Sequence, residues 1–252
     1  MSGLHKNFFR CAVAACAVFS TMFAAWGVNP YPQLKEKAER AFAHAEWASA
    51  SALYDLMLEE KPAVPDTYGQ AIVANAMRGD RAAEMRLMQK ALDNHIPFDS
   101  VFSRVSQWSF HLGKTHLYEE FLKETRQEHP WMKRAIDGHL LKYYTFRRNG
   151  ELMVEYSNIM LSGASDNAAL LNNLAEGYML MGDEKRGIET YMRVLDVAPG
   201  NLHALLSLGN LYAMKEDMDS AVKAVEYLEK AYSIHPTPYV AATLERLRGK
   251  KE

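Results

Sequence analysis

The sequence predicts an all-α protein: a right-handed α-α superhelix (solenoid) of about six helical pairs, closed by a C-terminal capping helix. Three observations predict it. Apolar residues recur three and four apart along nearly the whole chain after residue 28, which marks one buried face per helix. The ends of successive pairs, at positions 62, 96, 130, 164 or 165, 199 and 236, step by 34 or close to it. Composition agrees. Of 252 residues, 48% are hydrophobic and 24% charged, and Ala, Leu, Met and Glu are common while glycine and proline are sparse.

Residues 1–27 stand apart from the repeats. Lys6 and Arg10 make a short positive start, and no acidic residue precedes Glu36. The run from Cys11 to Ala24 is apolar except for Ser20 and Thr21, and Ala25-Trp26-Gly27 supplies small residues at the two subsites of signal cleavage. This is the pattern of a secretory signal peptide. The stretch of 18 residues from Cys11 to Val28 also has the length of a signal anchor spanning a bilayer. Val13-Ala14-Ala15-Cys16 resembles the box before a lipidated cysteine, although the apolar run continues well past it. Both cysteines lie in this segment, so residues 28–252 offer no disulfide, thiol nucleophile or cysteine metal site.

The repeat domain is expected over 28–252. In the first pair (31–64), Leu34, Ala38 and Ala41 form one face, Trp47, Ala50, Tyr54, Met57 and Leu58 the next, and Pro62 closes it. In the second (65–98), Tyr68, Ala71, Ile72 and Asn75 precede a turn at Gly79-Asp80, followed by Met88, Ala91 and Leu92. The third (99–132) carries Phe102, Val105, Gly113, Tyr118, Phe121 and Leu122. The fourth (133–167) departs most: His139, Leu140 and Tyr143 fit, the turn is read at Asn149-Gly150, and Leu161-Ser162-Gly163 ends it without a proline.

The fifth pair (168–201) is the most regular. Leu171, Leu174, Ala175 and Tyr178 share one helix face, with Asp166 or Asn167 as its cap. Gly182 suits the left-handed stop, Asp183 caps the next helix, and Gly187, Ile188, Tyr191, Val194 and Leu195 recur before Pro199. The sixth (202–238) has Leu205, Leu208-Gly209 and Tyr212 in register, then a second helix about one turn longer. A final helix over 239–250 presents Glu245, Arg246 and Arg248, the polar outer face that the end of a solenoid needs. No linker or second domain is visible.

Leu171, Leu174-Ala175, Tyr178, Gly187, Tyr191 and Pro199 resemble the tetratricopeptide repeat pattern, with Ala175 and Gly187 as mild departures. The resemblance recurs in six pairs and looks like that of an exported bacterial protein of this type. It implies that the first helix of each pair lines a concave groove. The groove residues nominated on that basis are Arg104, Gln107 and His111 in the third pair, and Arg134 and Tyr144 in the fourth. Asn172, Asn173 and Glu176 follow in the fifth, and Asn210 and Met214 in the sixth. Amides satisfy a peptide backbone, while Tyr and Met supply adaptable apolar surface. Asn173 and Asn210 resemble elements of a carboxylate clamp. Leu206, His203 and Ser207 stand where that clamp needs basic partners, so the resemblance does not extend to it.

Other chemistry is poorly supported. A formal charge of −2 argues against electrostatic capture of nucleic acid. His111 and His116 do not share a helix face, and no metal-ligand spacing, phosphate loop or nucleophile elbow occurs. Glu59-Glu60 and Glu119-Glu120 read as solvated, and Trp47, Trp108 and Trp131 read as packing residues between helices. The sequence therefore points to a non-enzymatic, cofactor-free and metal-free interaction module of the bacterial cell envelope, periplasmic or membrane-anchored. It binds a protein or peptide in the groove, and membrane only through an uncleaved or lipidated N-terminal segment. The alternative is a structural subunit that docks through outer helices or terminal repeats.

Overall fold

The structure, a computed structural model, describes residues 31–249. The predicted signal segment at 1–27, with Cys11 and Cys16, lies outside the described residues. Among these residues every regular element is helical: thirteen α-helices and one 3-10 turn. The chain divides into two compact units between His129 and Pro130.

The described helices of the first unit are α1 (Tyr31–Ala43), α2 (Trp47–Glu60), α3 (Pro65–Ala76), α4 (Arg81–Asp93), α5 (Phe98–His111) and α6 (His116–Glu128). Its core is aromatic: Tyr54, Tyr68, Phe102 and Phe121 are fully buried. Phe102 and Phe121 meet edge to face at 6.1 Å. α3 packs on α2, α4 and α5, so residues 67–75 are buried without a break. Gly69 makes this possible, since a Cβ there would lie 2.5 Å from the Cβ of Arg104 on α5. Asn75, a buried amide in that stretch, is satisfied. It accepts from Ser51 at 3.0 Å and donates to the Ala71 carbonyl at 2.8 Å.

The second unit holds a 3-10 turn (Pro130–Met132), then α7 (Lys133–Phe146), α8 (Gly150–Leu161), α9 (Ala168–Leu180), α10 (Glu184–Val197), α11 (Leu202–Ala213), α12 (Met218–Ile234) and α13 (Pro238–Gly249). α9 and α10 bury Leu171, Ala175, Tyr191 and Val194 against Ala204 and Leu208 of α11. These positions carry the repeat pattern, and their burial explains it: neither helix of a pair covers its own apolar stripe. Asn167 caps α9, accepting from Ala169 and Leu170, and Asp183 caps α10, accepting from Arg186. Gly182 takes φ +77 between the two helices. α12 spans 17 residues against 14 in α10, and buries Ala221, Ala224, Leu228 and Ala231. Val240, Leu244 and Leu247 of α13 pack with Ala224 and Leu228 of α12 and Ala213 of α11, while Glu245, Arg246 and Arg248 remain exposed.

The turn of the fourth pair differs from its reading as Asn149-Gly150. The left-handed residue is Arg148, at φ 51, and Asn149 is the N-cap, accepting from Leu152. Gly150 lies inside α8 for a different reason. A Cβ there would lie 2.8 Å from the Gly177 carbonyl oxygen and 2.9 Å from Leu180, so the glycine serves the crossing of α8 and α9. The first pair has no glycine at its turn either, and Ala45 takes φ 59.

Candidate functional site

The first unit holds a cleft of about 490 Å³, within the roughly 300–1,000 Å³ typical of ligand sites. Glu39 and Phe42 of α1, Trp47 at the start of α2, Gln70 of α3, and Trp108 and His111 of α5 line it. Three first helices of successive pairs thus supply most of its wall. Phe42 holds the aromatic set together. It meets Trp47 at 5.2 Å and 83°, and Trp108 at 5.4 Å and 69°. Trp108 in turn meets His111 at 5.5 Å and 82°. Edge-to-face contacts of this kind fix the rings beyond what burial alone achieves.

Polar groups in this wall are incompletely satisfied. The Trp108 Nε1–H is buried and has no acceptor. Gln70 is only 8% exposed, and its side-chain amide makes no hydrogen bond among the described residues. Glu39 pairs with Lys35 at 3.7 Å, both side chains being about half exposed, and such a pair is weak. Tyr54 lies beneath Phe42, with its hydroxyl buried and unpartnered. Burial first, then the Glu39 charge, pushes that hydroxyl well above the usual tyrosine range.

A smaller cavity of about 240 Å³ lies among Asp55, Asn75, Arg86 and Lys90. Burial raises the Asp55 carboxyl, and Lys90 opposes the rise. Elsewhere on α4, Glu84 is fully buried. Burial drives its carboxyl up to about 7 against the pull of Arg81, whose Nη1 stands 3.4 Å away. Among the described residues no cluster of three or more His, Cys, Asp or Glu could hold a metal ion.

The nominated groove residues fall in different settings. In the first unit, His111 lines the cleft, whereas Arg104 is engaged by Asp66 at 2.7 Å and donates to Gln107 at 2.9 Å. In the second unit, Tyr144 is 2% exposed and packs on Tyr143 and Tyr156, so it belongs to the core. Its ring fills the interior because Tyr143 beside it and Tyr156 of α8 enclose it. Asn172 donates to Asn201, the cap of α11, at 3.2 Å. Asn210 accepts from Tyr239 of α13 at 3.2 Å, so the C-terminal helix of the same chain occupies it. Glu176 faces Arg148 at 3.9 Å, Asn173 is half-buried, and Arg134 is exposed beside Gly163. Met214 projects with 82% exposure.

Sequence reasoning missed Phe42, Trp47, Gln70 and Trp108 as a group. Tryptophan at helical spacing signals packing, and Trp47 and Trp108 do pack. Nothing in the spacing tells that both pack around one open cleft.

Helix pairs of this length, joined at this step, define an all-α helical-repeat protein. No family model matches the chain, and no curated protein matches it. Solved structures are similar to it. A tetratricopeptide repeat protein from Parabacteroides merdae is 13% identical with a TM-score of 0.46, covering 96% of this chain and 95% of that one. The C-terminal part of a TPR repeat-containing protein from Cytophaga hutchinsonii is 12% identical with a TM-score of 0.43, covering 83% and 98%. The Cut9-Hcn1 hetero-tetramer of the APC/C is 14% identical with a TM-score of 0.47, covering 92% of this chain and 45% of that one. The fold class rests on the helices described above.

Proposed function

We propose that this chain is a non-catalytic interaction module that binds an extended peptide or protein segment in the envelope of a bacterium. The aromatic cleft bounded by α1, α3 and α5 carries the reading. Rigid aromatic side chains are the usual energetic anchors of protein interfaces, and unpaired donors beside them suit a peptide backbone. The signal pattern of residues 1–27 supports export.

The test is crosslinked co-purification of the full chain from fractionated bacteria, run beside a Trp47→Ala, His111→Ala double variant checked for unchanged helicity. The expected result is partners lost in the variant, recovery in the envelope fraction, and an N-terminus near Val28. Partners retained in full by the variant would overturn the cleft as the binding surface.

A second reading, a structural subunit, draws on a separate observation. The second helices α10 and α12 expose Met192, Val197, Val222 and Ile234. Met192→Lys and Val222→Lys would then abolish co-purification while the cleft variant leaves it intact.

A further inference from the structure

We infer that the cleft of the first unit seats a basic side chain, arginine above lysine, from an extended peptide partner. This inference rests on the interaction-module reading and names the residue type that it recognises. Charge carries the first part of the argument. Among the described residues Glu39 is the one carboxylate on the wall, and no lysine or arginine lines it. The competing cation, Lys35, stands 3.7 Å from Glu39 with both groups about half in water, so an incoming cation displaces little.

The aromatic wall carries the second part. Phe42, Trp47, Trp108 and His111 enclose the cleft with interplanar angles of 69–83° between touching rings. Rings set nearly at right angles offer a cation more than one π system at once, and tryptophan is the strongest of them. A planar guanidinium stacks on such rings and forks onto a carboxylate, whereas an ammonium is a more strongly hydrated point charge. That difference sets arginine above lysine.

The unpartnered polar groups carry the third part. The Trp108 Nε1–H is a pure donor, and the Gln70 amide is both donor and acceptor. Neither has a partner within the described residues, and Gln70 is more than nine-tenths buried on the cleft wall. A peptide group beside the basic side chain offers the Gln70 amide both a carbonyl and an N–H. A purely apolar occupant would cover the Gln70 amide without pairing it.

The test uses the full chain with ¹⁵N-labelled tryptophan and four capped pentapeptides, each alanine except for a central arginine, lysine, citrulline or norleucine. Indole N–H shifts of Trp47 and Trp108, assigned with Trp→Phe variants, report occupancy. The arginine peptide is expected to saturate both shifts, with lysine weaker. Citrulline, nearly isosteric but neutral, and norleucine are expected to bind about tenfold or more weakly. Glu39→Gln, at an exposed position that does not threaten the fold, is expected to weaken the arginine peptide by about fivefold and leave norleucine unchanged.

Equal binding of citrulline or norleucine would overturn the inference while leaving the interaction-module reading in place. An unchanged arginine affinity in Glu39→Gln would overturn it in the same way. Absence of any saturable indole shift would also overturn it, and the co-purification experiment judges the wider reading separately.

Discussion

Glu84→Gln should remove a pH dependence of stability that one buried carboxyl imposes on the first unit. Glu84 is 0% exposed on α4, and Arg81 contacts it only at 3.4 Å while also pairing with Glu120. Burial raises its carboxyl from the ordinary 4.5 to about 7, helped by the charges of Glu120 and Glu124 and opposed by Arg81. Between those two values the folded chain holds a proton that the unfolded chain has released. Stability from this group is therefore complete below about pH 4.5 and is lost as pH rises to about 7. The loss amounts to about 3 kcal/mol at about 1.4 kcal/mol per pH unit. Urea denaturation of wild type and Glu84→Gln from pH 4.5 to 8 reads it, with both chains followed by circular dichroism. The difference between the two curves isolates Glu84, because every other titrating group is shared. The stability of wild type relative to the variant should fall over that interval by an amount of this order. Asp183 and Asp217, whose carboxyls are held low by hydrogen bonds at helix starts, act oppositely and cancel in the comparison. Parallel curves for the two chains would refute the reasoning.

Further outcomes follow from the turn and crossing of the fourth pair. Gly150→Ala places a methyl 2.8 Å from the Gly177 carbonyl, and backbone cannot yield as a side chain would. A loss of about 1–3 kcal/mol is expected in chemical denaturation, and an unchanged midpoint would remove the close crossing of α8 and α9. Arg148→Gly relieves a left-handed residue at φ 51 whose ion pair to Glu176 is long, at 3.9 Å. A gain of about 1 kcal/mol is expected, and a loss would show that the arginine side chain outweighs the backbone strain.

Two features of the sequence made the helices legible. The recurrence at three and four of Leu171, Leu174, Tyr191 and Val194 follows directly from a helix that must bury one face, and the structure buries these residues. Caps and stops were local as well. Asn167, Asp183 and Gly182 act within three or four residues of their own position, so chain order alone reveals them. The candidate site was less legible, and each departure has a long-range cause. Tyr144 has the spacing of a surface position, but its neighbours Tyr143 and Tyr156 enclose it. Asn210 looks available until α13 brings Tyr239 against it from 29 residues away.

The sequence by itself determined the all-α class and the choice of several capping residues. These depend on interactions between residues within about one turn of each other, where spacing is a direct record of geometry. Only the tertiary structure decided that Arg148 takes the left-handed turn while Gly150 serves a helix crossing. It also brought Glu39, Phe42, Gln70 and Trp108 around one cleft. Those residues come from α1, α3 and α5, and their meeting is set by how separate helices pack rather than by any periodicity along the chain.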